Sequence, residues 1–383
     1  MIPYALVLNA GSSSIKFALF ELAADGPVVA ARGLVEGLGT SPRVRTRGGD
    51  GRVVAEHPLA PEADHAAALR SVLADVSGLV AGGRVVAVGH RIAHGGPAFP
   101  APVRLDGAAL AELSTYVPFA PSHQPHNLKA VRAAMEAFPD AVQVGCFDTA
   151  FHQGKAFVQD TYGLPRRLYA DGIRRYGHHG LSYEYVADAL GTLAPDVADG
   201  QIVICHLGNG ASMCALVEGR SIESTMGFSA LDGLPMGTRC GQLDPGIILY
   251  LLQQKGMSAA AVEAILYGES GLKGLSGVSN DMRDLLAAGT REAEEAIDYF
   301  CAMVRREIGA MSTTLLGLQA IVFTGGIGEH APEVRRRVLA PLAWLGVFLD
   351  DARNAANALR ISAEGSPIAA LVVPTDEEVV IAR

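Results

Sequence analysis

Several polar side chains follow directly after apolar, strand-like segments, which is where α/β enzymes place their functional groups. Asn9 ends the first such segment, Arg91 lies in GHRIAHGG, Asp148 in FDTAFH, Arg239 in MGTRCGQLDPG and Glu377 in PTDEE. Arginines at these positions can supply local positive charge to an anionic substrate. Each residue also has a structural interpretation, because loop arginines are usually solvated and an aspartate after a strand often caps a helix.

Two adjacent histidines, His178 and His179, lie between glycines in the segment RRYGHHGLSY. Three interpretations are open: a metal site, a catalytic pair, or one functional histidine beside a neighbour with another task. A metal site with His94, His123 or His126 is disfavoured, because adjacent side chains do not readily face one ion and no HxxxH helix supports it. Ordinary turn residues with satisfied hydrogen bonds are the structural alternative.

Three glycine-rich turns indicate a nucleotide site. The segment AGSSSIKFALF (Ala10–Phe20) is echoed by LGNGASMCALV (Leu207–Val217), and each leads through small residues into a strand. The echo indicates an internal duplication, and such turns let backbone N–H groups approach phosphate oxygens. A third turn, TGGIGE (Thr324–Glu329), lies between a strand and a helix, a favourable position for an anion. Plain hairpin turns are the alternative, which the recurrence of the pattern disfavours. The Walker A and protein-kinase motifs are absent, so any nucleotide chemistry here belongs to another design.

The composition is that of a globular protein rather than a disordered one, with 383 residues and 49% hydrophobic residues. This length predicts two domains. The net charge of -9 gives no general attraction to nucleic acids or anionic membranes, so neither is an expected partner. The five cysteines form no CxxC pair, and no signal peptide or membrane-spanning run is visible, so we expect a cytoplasmic protein.

Strand-like segments alternate with helical ones, which predicts an α/β fold. The predicted strands are Tyr4–Asn9, Ile15–Phe20, Val85–Gly89, Val142–Phe147, Ile202–His206, Met213–Val217, Ile321–Thr324 and Ile368–Val373. The predicted helices are His65–Leu79, Asn127–Phe138, Tyr183–Leu190, Pro245–Gln254, Arg291–Leu316 and Pro332–Leu339. The segment Gly37–Gly51 is rich in glycine and arginine, and it predicts a loop or an edge hairpin.

The chain closely resembles the acetate/propionate kinase family. The matching segments run in order from LVLNAGSSSIKFALF through HRIAHGG, FDTAFH, RRYGHHG, CHLGNGAS, STMGFSALDGLPMGTRCGQLDPG and SGVSNDMRD to FTGGIGE and TDEEVVIA. The resemblance implies duplicated ribonuclease-H-like (actin-like ATPase) domains, as in actin, sugar kinases and heat-shock chaperone ATPases, with an inter-domain active-site cleft. It implies an N-terminal domain of residues 1–149 with 375–383. The C-terminal domain, residues 150–374, would bind the nucleotide and form a homodimer.

The resemblance implies a kinase that transfers the γ-phosphoryl group of ATP to a short carboxylate such as acetate or propionate, giving an acyl phosphate and ADP. The acid is ionised at neutral pH and needs no general base, so positioning and charge stabilisation dominate. On the family pattern, Arg91 binds the carboxylate and Arg239 bridges it to the phosphoryl group. His179 donates to the phosphoryl oxygens and His123 assists. Asp148 orients the site.

The resemblance also implies ATP as co-substrate and Mg²⁺, or Mn²⁺, as the cofactor. Asn9 and Glu377 would be tied to the ion, whose preference for oxygen ligands fits both side chains. The residues implied to bind ATP are Ser12, Ser14, Lys16, His206, Leu207, Gly208, Asn209, Gly210, Asp281, Met282, Arg283, Gly326, Ile327, Gly328, Glu329 and His330.

The acid-binding pocket departs from the family pattern at four aligned positions. Where the family usually has Val, Leu, Phe and Pro, this chain has Ala93, Ser122, His178 and Ala230. One methylene in an apolar pocket discriminates by about 1–3 kcal/mol, and polar walls can change the preferred acid. We therefore expect a larger or more polar carboxylate than acetate, with propionate as the most conservative candidate. An ATP-driven binding module without acyl phosphate chemistry is the alternative, which the retained arginines and histidines disfavour.

Overall fold

The computed structural model describes residues 1–10, 14–38, 41–80, 82–121 and 123–383. The chain divides into two compact units, which are residues Met1–Phe151 with Asp376–Arg383 and residues His152–Thr375. We refer to them as the first and the second unit. Over the described residues, the first unit contains an eight-stranded sheet and the second a five-stranded sheet, both covered by helices. The predicted α/β class is confirmed.

The first unit contains most of the strands of the chain. They are β1 (Ile2–Ala10), β2 (Ile15–Ala23), β3 (Gly26–Glu36), β4 (Arg43–Gly48), β5 (Val53–Pro58), β6 (Gly83–Ile92), β7 (Val103–Arg104) and β8 (Val142–Phe147). The helices of this part of the chain are α1 (His65–Leu79), α2 (Gly107–Thr115) and α3 (Gln124–Ala137), with a 3₁₀ turn at Val117–Phe119 and another at Ala150–His152.

The second unit is mainly helical around its sheet. The strands are β9 (Gln201–Leu207), β10 (Ala211–Val217), β11 (Arg220–Ser224), β12 (Ala320–Thr324) and β13 (Ala369–Val372). The helices are α4 (Phe157–Asp160), α5 (Arg166–Ala170), α6 (Gly180–Leu193), α7 (Pro245–Gln253), α8 (Ala259–Ala264), α9 (Gly271–Ser276), α10 (Met282–Ala288), α11 (Arg291–Thr314), α12 (Gly325–His330), α13 (Pro332–Leu339) and α14 (Asp351–Ala355). A π-helical turn spans Ile265–Glu269 and a 3₁₀ turn Ala340–Leu345. The chain then returns to the first unit with α15 (Glu377–Ala382).

The two sheets share one core topology. The strand orders are β5-β4-β3-β2-β1-β6-β8-β7 and β11-β10-β9-β12-β13. In the first sheet β1, β2 and β3 form an antiparallel meander, while β6 and β8 continue the sheet parallel to β1. In the second sheet β9, β10 and β11 form the same meander, while β12 and β13 continue parallel to β9. The repeat explains the sequence echo, because both echoed segments span the first hairpin of their sheet.

The central strands are buried on both faces, as expected for sheets with helices on each side. Leu6 and Leu8 of β1 are buried, and so is every residue of β12. In the second unit, α11 turns one apolar stripe to the core, where Phe300 and Ile308 are fully buried. Among the described helices, none has both the length and the apolar character needed to span a bilayer.

The predicted helices and strands are all observed, with end points that differ by at most a few residues. Residues 37–51 contain β4, which pairs with β5 at the edge of the first sheet, so the edge hairpin is the correct alternative. The expectation of an open glycine turn at Thr324–Glu329 is wrong, because Gly325 begins the short helix α12. The carboxylate of Glu329 accepts the N–H of Gly325 at 2.8 Å and thereby satisfies the first turn of that helix.

Candidate active site

Arg91 is the centre of a polar network at the carboxyl ends of β1, β6 and β8. Its Nε and Nη2 donate to the carboxylate of Asp148 at 3.0 and 2.7 Å, and its Nη1 donates to Oδ1 of Asn9 at 3.1 Å. The carboxylate of Glu377 lies 3.5 Å from the same Nη1 and accepts the amide of Asn9 at 3.2 Å. The parallel register places these strand ends side by side, so residues distant in sequence form one cluster.

The charge balance of this network keeps Arg91 protonated. Burial alone would lower the pKa of the guanidinium, but the carboxylates of Asp148 and Glu377 outweigh burial and raise the pKa above its ordinary value. Asp148 is 2% exposed and accepts hydrogen bonds from Arg91, so its carboxylate is held as an orienting group. One N–H of Nη2 is not used by these contacts, and it can donate to a substrate carboxylate.

The oxygen atoms of the network suit a hard cation. The carboxylate of Glu377 accepts the amide N–H of Asn9, so the two side chains lie together, and the pKa of the adjacent Glu378 is raised by burial and by the charge of Glu377. Within the described ranges, no group of three or more His, Cys, Asp or Glu side chains forms a closed metal cage. Mg²⁺ commonly takes one or two protein carboxylates and completes its shell with water and phosphate oxygens, so the residues fit that ion.

The backbone beside Arg91 is fixed by two buried side chains of α3 that the sequence analysis missed. Asn127 accepts the N–H of Ala93 at 3.0 Å and donates to the carbonyl of Ala10 at 2.7 Å. Gln124 accepts the N–H of His94 at 3.2 Å and donates to the carbonyl of the same residue at 2.9 Å. Their position in PSHQPHN, directly after a proposed catalytic histidine, was the available signal.

The remaining predicted residues of the first unit lie near these strand ends or outside the described chain. His123 precedes the first residue of α3. Lys16 pairs with Asn9 across the β1–β2 hairpin, and its charge opposes the rise in the pKa of Glu378. Ser14 is half-buried directly before β2. Ser12 and Ser122 lie outside the described residues.

In the second unit, His179 is held in an unusual backbone conformation at the start of α6. Its φ of 58° is left-handed, and it follows Gly177 with a φ of 84°. Nδ1 of the ring lies 2.7 Å from the hydroxyl of Ser212, and the ring stacks on His206 with 4.3 Å between centroids. Because Ser212 occupies Nδ1, Nε2 is the ring atom that faces Gly210.

Arg239 meets His179 at Gly210. A Cβ atom at Gly210 would lie 2.7 Å from Nη2 of Arg239 and 3.3 Å from Nε2 of His179, so both side chains approach the same glycine. Nη1 of Arg239 donates to the carbonyl of Ala230 at 2.6 Å. Among the described residues, no carboxylate lies within 4.0 Å of this guanidinium. Burial lowers its pKa to about 10, which leaves it charged at neutral pH.

His178 is the buried neighbour of this pair, at 3% exposure. Its carbonyl is held by Nε2 of His152 at 2.9 Å, while Nδ1 of His152 contacts the hydroxyl of Ser221 at 2.7 Å. Burial lowers the pKa of His152 to about 3, so that ring is neutral. The backbone of the turn that carries His178 and His179 is therefore held by the neutral side chain of His152.

A cavity of about 560 Å³ opens in the second unit, which is within the usual range of roughly 300–1,000 Å³ for small-molecule sites. Eight of its lining residues were predicted to bind nucleotide: Gly208, Asn209, Asp281, Met282, Arg283, Gly326, Ile327 and His330. The sequence analysis missed Asn280, Leu286 and Ala331. The other predicted residues of this unit, His206, Leu207, Gly210, Gly328 and Glu329, are not part of the cavity wall; they lie in the strand, turn and short helix that carry it.

Two glycines keep the backbone of the cavity wall close-packed. Gly325 has a φ of 77°, and a Cβ there would lie 2.8 Å from the carbonyl oxygen of Leu207. A Cβ at Gly237 would lie 2.0 Å from Oδ1 of Asn209, the atom that accepts a hydrogen bond from Asn280. A side chain at Gly325 would therefore collide with the backbone, whereas one at Gly237 would displace the Asn209 side chain from this hydrogen bond.

Two α/β sheets of one topology, a half-buried arginine that has no carboxylate partner in the described ranges and lies beside a histidine, and a nucleotide-sized cavity define a phosphotransferase of the duplicated α/β class. The chain belongs to the acetokinase family, whose model matches residues 4–383.

Individual relatives agree with this assignment. The chain is 52% identical to an acetate kinase of Methylocella silvestris over 99% of this chain and 96% of that protein. It is 47% identical to an acetate kinase of Rhizobium meliloti over the same shares of both chains. Among solved structures, a propionate kinase from Francisella tularensis covers 100% of this chain and 98% of its own, with a TM-score of 0.90 and 34% identity. An acetate kinase of Porphyromonas gingivalis, also 34% identical, has a TM-score of 0.86 over 99% and 98%.

Proposed function

We propose that this carboxylate kinase transfers the γ-phosphoryl group of ATP directly to the carboxylate of a short organic acid, giving an acyl phosphate and ADP. The observation that carries the proposal is Arg239, a half-buried cation without a carboxylate partner among the described residues, whose side chain approaches Gly210 together with that of His179. A partly desolvated charge without a counter-charge favours a ligand of opposite charge. The phosphoryl group in transfer supplies that charge.

Arg91 and Asp148 act on the acid rather than on the phosphate. Asp148 holds the guanidinium through two of its nitrogens and leaves an N–H of Nη2 for the substrate carboxylate. A carboxylate nucleophile is ionised near neutral pH, so no group has to remove a proton. The role of Asp148 is therefore to orient Arg91, and the effect of Arg91 is to align the acid oxygen with the phosphorus.

His179 and Arg239 act on the phosphoryl group as charge increases on its oxygens. Ser212 fixes Nδ1 of His179, so a hydrogen bond from this side chain to the phosphoryl group comes from Nε2. The Ala230 carbonyl fixes Nη1 of Arg239, and Nη2 remains at the face of Gly210. Donors that are already oriented need no reorganisation during the reaction, which is the main source of such stabilisation. On the family pattern, His123 is proposed to assist.

Mg²⁺, or Mn²⁺, is the proposed cofactor, with Asn9 and Glu377 as the side chains that hold it. The bound ion would screen the repulsion between the acid and the phosphates. Glu377 and Asn9 lie in contact, and one carboxylate with a neighbouring amide fits an ion that retains water and phosphate ligands. The nucleotide occupies the cavity of the second unit, with Asp281, Met282 and Arg283 on one wall and residues 326–330 on the other.

The preferred acid is proposed to be larger or more polar than acetate. His178 is a buried polar side chain at a position where the family pattern has Phe, and Ala93 is smaller than the usual Val. Kinetics with acetate, propionate, butyrate and hydroxylated acids of the same length would measure the preference by acyl hydroxamate formation. A kcat/KM for acetate well above that of every other acid would contradict it, and His178→Phe should shift the preference toward acetate.

The protein is further proposed to act as a cytoplasmic homodimer through the second unit. Helix α7 carries the apolar sequence PGIILYLLQ but has no buried residue, and Ile247, Leu249 and Tyr250 are all exposed. Such a face is unusual on a monomer and typical of an interface between subunits. Light scattering on the wild type and on Leu249→Glu would test it, since a wild-type monomer would exclude the dimer.

The phosphotransfer itself is tested by ADP production with and without an acid. The proposal requires ADP formation to depend on the acid and to equal acyl phosphate formation. Equal ADP production in the absence of any acid would instead favour an ATP-driven binding module.

A further inference from the structure

Arg335 of α13 is fully buried, at 0% exposure, and no carboxylate oxygen among the described residues lies within 4.0 Å of it. All three nitrogens of its guanidinium have oxygen partners. Nε donates to Oδ1 of Asn354 at 2.8 Å, and Nη2 donates to the Asn354 carbonyl at 2.8 Å and to Oδ1 of Asn357 at 2.5 Å. Nη1 donates to the carbonyls of Gly328 and Glu329 at 2.7 and 2.9 Å.

A buried charge with only neutral partners is expensive, so this arrangement needs a reason. Burial lowers the pKa of Arg335 to about 10, and the side chain therefore stays charged at neutral pH. An aliphatic side chain would fill the same space without the desolvation cost. Such a replacement would lose the hydrogen bonds to the backbone carbonyls of Gly328 and Glu329.

Those two carbonyls belong to the last turn of α12, and the carbonyls of a last turn have no N–H partner within their own helix. The residue four positions after Gly328 is Pro332, which has no N–H and cannot satisfy the carbonyl of Gly328. Arg335 supplies the missing donor. Its positive charge also lies at the carboxyl end of the helix, where the helix dipole favours a cation.

Helix α12 forms one wall of the nucleotide cavity, which it lines with Gly326, Ile327 and His330. At its start, the carboxylate of Glu329 accepts the N–H groups of Gly325 and Thr375 at 2.8 and 3.2 Å. Arg335 holds the other end and ties it to α14 through Asn354. The wall is therefore fixed at both ends by charged side chains that do not line the cavity.

We propose that Arg335 is a positioning residue for the nucleotide site, which acts by fixing α12 in its ligand-binding geometry. The inference rests on the proposed function, because it takes an adenine nucleotide as the ligand of this cavity. The effect is geometric, so it requires the forked guanidinium rather than its charge alone. Substitution should weaken nucleotide binding more than it slows phosphoryl transfer at saturating ATP.

The test compares Arg335→Lys and Arg335→Gln with the matched control Arg336→Gln. Arg336 is the adjacent residue, but its side chain is 50% exposed and pairs with Glu333 on the surface. Calorimetric titration with ADP and with adenosine, at a temperature where circular dichroism shows a folded protein, measures the affinity. Steady-state kinetics give KM for ATP, KM for the acid, and kcat.

Both Arg335 variants should bind ADP and adenosine about tenfold or more weakly, since losing hydrogen bonds to buried carbonyls removes on the order of a tenfold factor. KM for ATP should rise by the same factor, with KM for the acid unchanged and kcat within about threefold of wild type. The Arg336 variant should match the wild type. A lower melting temperature with unchanged affinity would overturn the proposal and leave a purely structural role.

Two further outcomes would also overturn it. Normal affinity in Arg335→Lys, or a loss much larger for ADP than for adenosine, would mean that the charge acts and not the geometry. Should neither variant fold, Asn357→Gly removes one acceptor of the guanidinium while keeping the left-handed φ of 49°. That variant should weaken ADP binding several-fold, and unchanged binding would refute the proposal. A wild-type protein that binds neither ligand would contradict the proposed function instead.

Discussion

Gly210→Ala tests the catalytic assignment without replacing a charged residue. The added Cβ would lie 2.7 Å from Nη2 of Arg239, whereas ordinary contact begins at 3.4 Å. The end of the arginine must therefore move by about 0.7 Å, and its hydrogen bond to the Ala230 carbonyl opposes that movement. Gly210 has no left-handed φ, so alanine adds no backbone strain.

The expected cost is in rate rather than in stability. A misplacement of about 1 Å in a catalytic group can cost on the order of 10²-fold in rate, so we expect kcat to fall by roughly 30- to 100-fold. The melting temperature should change little, because the contact is with the end of one long side chain and not with the backbone. Calorimetric binding of ADP should also stay within about threefold of wild type, since Gly210 is not part of the cavity wall.

The assay is acyl hydroxamate formation at saturating ATP and acid, with Gly309→Ala as the matched control. Gly309 lies in α11, where a Cβ meets nothing within 4 Å, so that variant should keep full activity and be slightly more stable. Full kcat in a folded Gly210→Ala protein would refute the assignment of Arg239 and His179 to the transferring phosphoryl group.

Two further predictions follow from the charges of the site and from the buried histidines. Arg239→Lys should lose about 10³-fold or more in kcat while retaining ADP binding. The reason is that an ammonium group cannot bind the Ala230 carbonyl and the phosphoryl group at the same time. Activity above a tenth of wild type would contradict this prediction. Burial lowers the pKa of His90 and His94 to about 4 and that of His152 to about 3, so below pH about 6.5 the unfolded chain takes up protons that the folded chain does not. The free energy of unfolding should therefore decrease as the pH is lowered, by about 2 kcal/mol for each histidine at pH 5. Urea denaturation at pH 7 and pH 5 measures this loss, and His90→Gln should reduce it.

The sequence predicted the parts of the fold that have a strong hydrophobic pattern. The buried parallel strands and the amphipathic helix α11 were predicted within a few residues, because their apolar periodicity is unambiguous. The edge strand β5 was missed, because it alternates between exposed and half-buried residues and depends on β4 for its pairing. The short helix α12 was missed as well, since its stability comes from Glu329 and Arg335 and not from local propensity.

The same distinction applies to the site. Arg91, Asp148 and Arg239 were proposed from the sequence because they lie in recognisable segments at strand ends or in a glycine-flanked loop. Asn127 and Arg335 were not, because their role depends on backbone atoms that only the folded chain brings to them. A polar side chain in a helix carries no sign in the sequence that it will be buried against carbonyl groups of another element.

The two units share one sheet topology but hold different sets of charged side chains, and duplication accounts for this difference. In the first unit the strand ends hold Asp148, Glu377 and a paired Arg91, a set that suits a cation and the carboxylate of a short acid. In the second unit His179 lies at the start of α6 and Arg239 in the loop before α7. Arg239 has no carboxylate within 4.0 Å in the described chain and therefore suits an anion. If one sheet held both sets, a carboxylate could pair with Arg239 and neutralise the net charge that attracts an anion. Duplication gives each set its own sheet, so the arginine of the second unit keeps an uncompensated charge.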